Sequence, residues 1–265
     1  QTVAGLSGSG LVRVNWGSGT STLEVGQLNH DGTWHDAGFG GLIENGPTGG
    51  ALALRKIGEG TQTLTGASTY SGGTTIVDGT LLVNNTTGSG TGSGPVLVAG
   101  GTLGGTGAIG GSVTVQSGTI AAGTSPGKLS IGGSYLQQGG AILEAELNGT
   151  AQGVSYDWIA VNDTATFEPG SIIEVVLGFE ATHGMSFDIL TAANGITNVD
   201  LGGLVIDASR ADGGRITWVA EIVDLDAQTG GAEALRLTAV PEPASLALLT
   251  LAVGGIGGYI RRRRR

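Results

Sequence analysis

The chain has no cysteine, one methionine and only twelve aromatic residues among 265. Without thiols it forms no disulfide, holds no iron–sulfur cluster and offers zinc no thiolate site, although this does not identify a compartment. Charge is scarce as well. Asp, Glu, Lys and Arg make up 13% of the residues, against about 25% in an ordinary globular domain. Solvation must therefore come from Thr, Ser, Asn and the backbone. Glycine, by contrast, is abundant, at 53 residues. Each glycine costs about 1 kcal/mol in a helix relative to alanine, which excludes a helical bundle. The glycines fall as Gly-Gly and Gly-Thr pairs at irregular intervals, which excludes a collagen. A hydrophobic content of 39% is too high for a disordered chain. What remains is a turn-dense, strand-rich fold.

Twelve basic residues against 22 acidic ones give a net charge of −10, yet five of the twelve are Arg261, Arg262, Arg263, Arg264 and Arg265. Through Val240 the balance is 7 basic against 21 acidic. Such a body exerts no long-range attraction on nucleic acid or an anionic membrane, whereas the arginine tail does the opposite. Body and tail therefore have separate tasks. The chain opens at Gln1 with neither Met nor a charged-then-apolar leader, which reads as a removed signal peptide or the end of a fragment.

A Gly-Thr-Leu-like step recurs at Gly60-Thr61, Gly79-Thr80-Leu81, Gly101-Thr102-Leu103, Gly118-Thr119-Ile120 and Gly140-Ala141-Ile142, at intervals of 19, 22, 17 and 22 residues. Between the steps lie short β-prone runs such as Thr75-Ile76-Val77, Val96-Leu97-Val98 and Val113-Thr114-Val115. A period near 20 with several short strands per period predicts the coils of a β-solenoid, because one coil cannot bury its own apolar face. Glycine suits the corners, where positive φ is needed. Glycine richness alone would also suit a flexible linker, but the recurrent Leu, Val and Ile argue against one. The narrow core expected of such coils favours aliphatic side chains over rings.

From about Ala141 to Val240 glycine thins out and longer strands are predicted at Ile142–Leu147, Asp157–Val161, Ile172–Leu177, Ser186–Leu190, Ile216–Val223 and Glu233–Val240. In Ile216–Val223 one face carries Ile216, Trp218, Ala220 and Ile222. This region reads equally as further coils or as a capping sheet. Leu11–Asn15, Thr22–Val25 and Ala51–Arg55 are strand candidates nearer the start, and only the last twenty residues resemble a helix. The expected division is a β-helical part over 1–140 with its core at 54–140, a C-terminal β part over 141–240, and a tail over 241–265.

Leu64 to Val83, with its Leu-Thr-Gly-Ala-Ser-Thr-Tyr-Ser-Gly-Gly-Thr-Thr core and following Gly79-Thr80-Leu81, resembles the autotransporter-associated β-strand repeat. Leu54 to Thr61 is similar to that family's lead-in, and Gly100 to Gly107 and Ala122 to Gly127 to its continuation. The resemblance implies an all-β, right-handed parallel β-helix. Val240-Pro241-Glu242-Pro243-Ala244-Ser245, an uncharged and mostly apolar Leu246 to Ile260, and five arginines resemble a PEP-CTERM sorting signal. Two prolines hold an extended, protease-accessible segment. The fifteen apolar residues span about 22 Å as a helix, short for a membrane core of about 30 Å, and the arginines would stay cytoplasmic. This resemblance implies a transient transmembrane helix in the inner membrane. It further implies an exosortase-type peptidase that recognises the motif Pro241, Glu242 and Pro243, cleaves the tail there, and releases the body to the surface or exopolysaccharide matrix of a Gram-negative bacterium. A plain tail anchor is the simpler alternative.

Other motifs carry less. Gly105 to Gly110 fits G-x-G-x-x-G, but at this glycine content about two such matches arise by chance. Gly123 to Lys128 lacks the spacing of a phosphate loop. His30, Asp31, His35 and Asp36 could hold a divalent metal, or form a polar turn around Trp34; His183 reads as a loop residue. Glu144/Glu146 and Asp224/Asp226 are two apart, hence about 6.6 Å on one strand face, inside the inverting-glycosidase range of about 6.5–9.5 Å. Solvent-facing acids are ordinary on solenoid strands, so the leading expectation is a non-enzymatic, surface-displayed structural or adhesive protein without catalytic residues, metal or cofactor. Exopolysaccharide or other surface glycans are candidate partners, and no residue names a ligand. A secreted polysaccharide-active enzyme is the alternative.

Overall fold

The computed structural model describes residues 1–14, 17–26, 33–34, 36–124, 126–197, 205–207, 216–226 and 231–241. Among the described residues every regular element is a strand, 25 in all, and no helix is long and apolar enough to cross a membrane. The helix expected within 241–265 lies outside the described residues, apart from Pro241.

The recurring step proves to be the unit of construction. Each one opens a strand of the same sheet: Thr61–Leu64, Thr80–Val83, Thr102–Gly105, Thr119–Ala122 and Ile142–Leu147. Neighbours run parallel and in register, with Thr61 beside Thr80, Thr80 beside Thr102, Thr102 beside Thr119, and Thr119 beside Ile142. This second wall has eight strands, from Ala37–Phe39 to Val205–Asp207. A first wall of nine parallel strands runs from Thr2–Val3 to Ile196–Thr197. The third wall is a pair near the start, Leu11–Arg13 with Leu42–Glu44, and then a six-stranded sheet from Ala108–Ile109 onward. The molecule is a β-solenoid of parallel strands stacked in walls around one apolar core.

Strand alternation sets the inside and the outside. In Thr80–Val83, Leu81 and Val83 are fully buried while Thr80 and Leu82 are only half-buried; Val113 and Val115 are buried around an outward Thr114. Glycine serves the corners in two distinct ways. Gly79 has φ +63°, and a Cβ there would lie 2.3 Å from the Gly58 carbonyl oxygen. Gly118 has an ordinary φ but no room, its Cβ falling 2.5 Å from the Gly101 carbonyl oxygen. Segment 54–83 is one coil closing on the next: Leu54 pairs with Thr74 and Leu64 with Val83. Its tyrosine, Tyr70, is fully buried and shares a 2.6 Å hydrogen bond with the Thr74 hydroxyl. Burial raises its pKa, so the phenol stays neutral.

The ladders cross residue 140 without a break, since Thr119–Ala122 pairs with Ile142–Leu147 and that strand with Ile172–Leu177. The coils widen there: Val113 pairs with Tyr135 and Tyr135 with Ala165, a step of 22 residues followed by one of 30. The extra width admits rings, contrary to a purely aliphatic core. Tyr135 packs edge-on to Phe167, and Phe187 gathers Tyr156, Phe179 and Trp218 around it. Coils and cap both occur in this half. Glu233–Pro241 runs antiparallel between Ser186–Ala192 and Ile216–Asp224, so the reversed direction replaces another parallel coil. Burial fades along Ile216–Asp224: Ile216 and Trp218 are buried, Ala220 and Ile222 half-buried, and Val219 exposed.

Candidate functional site

Of the four residues considered for a metal, His30, Asp31 and His35 lie outside the described residues. Asp36 acts structurally, its Oδ1 accepting the Thr61 amide at 2.6 Å where the second wall begins a new strand. Among the described residues no three His, Asp or Glu side chains are grouped to hold a metal. His183 lies exposed in a turn. The two carboxylate pairs belong to different walls. Glu144 and Glu146 are half-buried on Ile142–Leu147, Glu144 beside Glu174, which is in turn beside Asp207. Glu146 accepts the Asn148 amide at 2.9 Å. Asp224 caps a turn, its Oδ1 accepting the Asp226 backbone N–H at 2.8 Å. These contacts shape strand ends and turns.

Two ionisable side chains that sequence reasoning passed over are buried. Asp157 is 3% exposed and accepts the Gly127 N–H at 2.9 Å through Oδ1 and the Glu146 N–H at 3.0 Å through Oδ2. It ties the turn entering Lys128–Ile131 to the end of Ile142–Leu147. Burial pushes its pKa up to about 7, opposed by the two amide bonds and assisted by the negative charges of Glu146 and Glu144. Lys56 points inward at the end of Ala51–Lys56 and is 1% exposed. Its Nζ donates to the carbonyls of Ile57, Gly58 and Asp78 at 2.9, 2.6 and 3.1 Å, clamping two glycine corners together. Burial pulls its pKa down while Asp78 and Asp36 pull it up. A lysine ending an alternating apolar strand in phase with its buried positions was the available signal.

The outer side of the third wall carries a groove of about 450 Å³. Lys128 and Trp158 pair across adjacent strands, Lys128–Ile131 and Trp158–Val161. The Lys128 ammonium sits 4.2 Å from the centre of the indole. Trp158 Nε1 donates to the Thr191 hydroxyl of the next coil at 3.0 Å, which fixes the ring along the wall. Ala160 and Thr191 pair beneath it, and Leu225 and Ala232, joined by a 2.9 Å backbone hydrogen bond, form the far side. The other described cations have different partners: Arg13 pairs with Glu44, Arg55 with Glu24 and Arg236 with Asp188, and Lys56 is buried on carbonyls.

The sorting segment begins where the fold closes. Pro241 is the last residue of Glu233–Pro241, opposite Ile216. Glu242, Pro243 and Arg261 to Arg265 lie outside the described residues. Two family models match the chain, the passenger-associated-transport-repeat at residues 54–83 and the PEP-CTERM protein-sorting motif at residues 239–265. No curated protein matches it. Together the two models mark an exported, cell-surface or extracellular protein whose sorting motif is of the kind processed by exosortase, a membrane protease. The chain carries a passenger-associated-transport-repeat as one coil of its solenoid and, from residue 239 on, a PEP-CTERM protein-sorting motif.

Proposed function

We propose that the body is a non-enzymatic structural element of the surface or exopolysaccharide matrix of a Gram-negative bacterium. The tail serves as a temporary membrane stop that exosortase removes. The coil is taken as right-handed, the hand that parallel crossovers adopt almost without exception. The observation carrying this reading is the position of the sorting motif. It starts within the last strand, Glu233–Pro241, which is hydrogen-bonded on both sides. A cut just beyond Pro241 therefore removes the apolar stretch and arginines without opening a strand pair.

The apolar stretch is interrupted by Gly254, Gly255, Gly257 and Gly258, which weakens it as a lasting helix but not as a pause in translocation. The arginines hold its end in the cytoplasm. Of the paired carboxylates, Glu146 accepts from the Asn148 amide and Asp224 from the Asp226 backbone, and no catalytic step is assigned to either pair.

C-terminal peptide analysis of protein recovered from outside the native cell tests the sorting. The released chain should lack Arg261 to Arg265, and a triple substitution of Pro241, Glu242 and Pro243 should leave the chain in the membrane fraction. Released protein carrying all five arginines would refute cleavage. The non-enzymatic reading is tested by incubating the protein with acidic and neutral polysaccharides, where new reducing ends would overturn it.

A further inference from the structure

We propose that the groove on the third wall binds an acidic polysaccharide, one whose sugars carry carboxylates. This rests on the reading of the body as a matrix protein and assigns the site through which it would hold the matrix. Three features of the groove point to that chemistry. The first is charge. On an acidic body, Lys128 is exposed, and its contact is an aromatic face, whereas Arg13, Arg55 and Arg236 each meet a carboxylate. An ammonium resting on an indole can turn to an incoming carboxylate without breaking an ion pair.

The second feature is the indole itself, held along the wall by its bond to Thr191 and bordered by the small side chain of Ala160. A flat ring with an apolar face and a polar edge suits a sugar, which presents C–H groups on one face and hydroxyls at its rim. The third is the set of neutral polar groups around it. Asn162 is exposed at the groove, and Thr191, having accepted from Trp158, keeps its hydroxyl proton to donate. Gln152 is anchored at the margin by a 2.8 Å bond to the Asp188 carbonyl. Leu225, at the far side, is flanked in sequence by Asp224 and Asp226. The ligand's carboxylate is thereby directed to the Lys128 end and its hydroxyls to the other. An acidic peptide would satisfy Lys128 but would leave the indole and the ring of neutral donors unmatched.

The test is calorimetric titration of the full chain bearing Arg261→Gln, Arg262→Gln, Arg263→Gln, Arg264→Gln and Arg265→Gln, so that the tail offers no cations, with oligomers of polygalacturonate, in parallel with the same oligomers fully methyl-esterified and with polyglutamate. The free-acid oligomer should bind at least ten-fold more tightly than the ester or polyglutamate. Lys128→Met should abolish that preference while leaving the weak binding of the ester unchanged. Asn162→Ala, at an exposed position, should weaken both sugars, and Thr114→Asn on the first wall should change neither. Equal binding of acid and ester, undiminished acid binding by Lys128→Met, polyglutamate binding as tight as the oligomer's, or no binding by a chain with unaltered circular dichroism would each overturn the site. Such a failure leaves the sorting experiment untouched, since that one reads where the chain is cut and released. Failed sorting with intact oligomer binding would sink the surface role instead.

Discussion

Asp157 gives this solenoid a stability that depends on pH in an unusual direction. Its carboxyl is buried, and burial raises its pKa to about 7 from about 3.9 in an unfolded chain. Between those values the folded state holds a proton that the unfolded state has lost. Stability on account of this group is therefore greatest below about pH 4, falls as pH rises, and levels off above pH 7. Three pKa units at 1.36 kcal/mol each amount to a loss of about 4 kcal/mol across the window. Glu24 and Asp163 act with the opposite sign. Side-chain hydrogen bonds, from Thr2 and Arg55 to Glu24 and from Ser134 and Asn194 to Asp163, hold both pKa values down. Their contribution is lost only below about pH 4, outside the window.

The assay is urea unfolding of wild type and Asp157→Asn at half-unit steps from pH 4 to pH 8. The asparagine does not titrate, so the difference between the two stabilities isolates Asp157. That difference should move by about 3 kcal/mol against wild type between pH 4 and pH 7, whatever fixed cost the substitution brings to the Gly127 and Glu146 amides. A flat difference would falsify the burial argument. A difference rising with pH would mean that the two amide bonds outweigh burial and that the carboxylate is favoured in the fold.

The inward and outward faces make a second prediction. Leu81→Asp puts a charge where exposure is 0% and should cost at least about 4 kcal/mol in the same unfolding assay, whereas Thr80→Asp should stay within about 0.5 kcal/mol; equal effects would mean that the register is wrong. Gly79→Ala should destabilise by about 1–2 kcal/mol from its left-handed backbone alone, with the contact against Gly58 added, while Gly38→Ala, in open space at an ordinary φ, should be neutral or slightly stabilising. Lys56→Met removes the donor from three carbonyls and should cost about 3 kcal/mol; a midpoint unchanged in urea would show that those carbonyls do not depend on the ammonium.

The wall and its repeat follow from composition and periodicity. Gly-Thr-Leu steps, apolar alternation and a glycine content unfavourable to helices specify short strands with one inward face, and all five steps open strands of a single sheet. Ile142–Leu147 and Ile172–Leu177 have the bounds that their composition predicts, because alternation of period two is a local property. The sorting motif was legible for the same reason, being contiguous.

Tertiary structure alone decided what depends on stacking. That Lys128 and Trp158, thirty positions apart, share one rim follows from the length of that coil, which no local pattern states. Asp157 becomes a buried acid because Gly127, thirty residues earlier, and Glu146, at the end of the preceding strand, bring two amides onto its carboxyl. Lys56 looks like a surface lysine until the Gly58 and Asp78 carbonyls converge on its ammonium from successive corners. The closing antiparallel hairpin was equally hidden. Glu233–Pro241 alternates like any other strand, and only its partners, met from the opposite direction, make it a cap. Burial and pairing are properties of neighbours, and in a solenoid the neighbours lie a whole coil away.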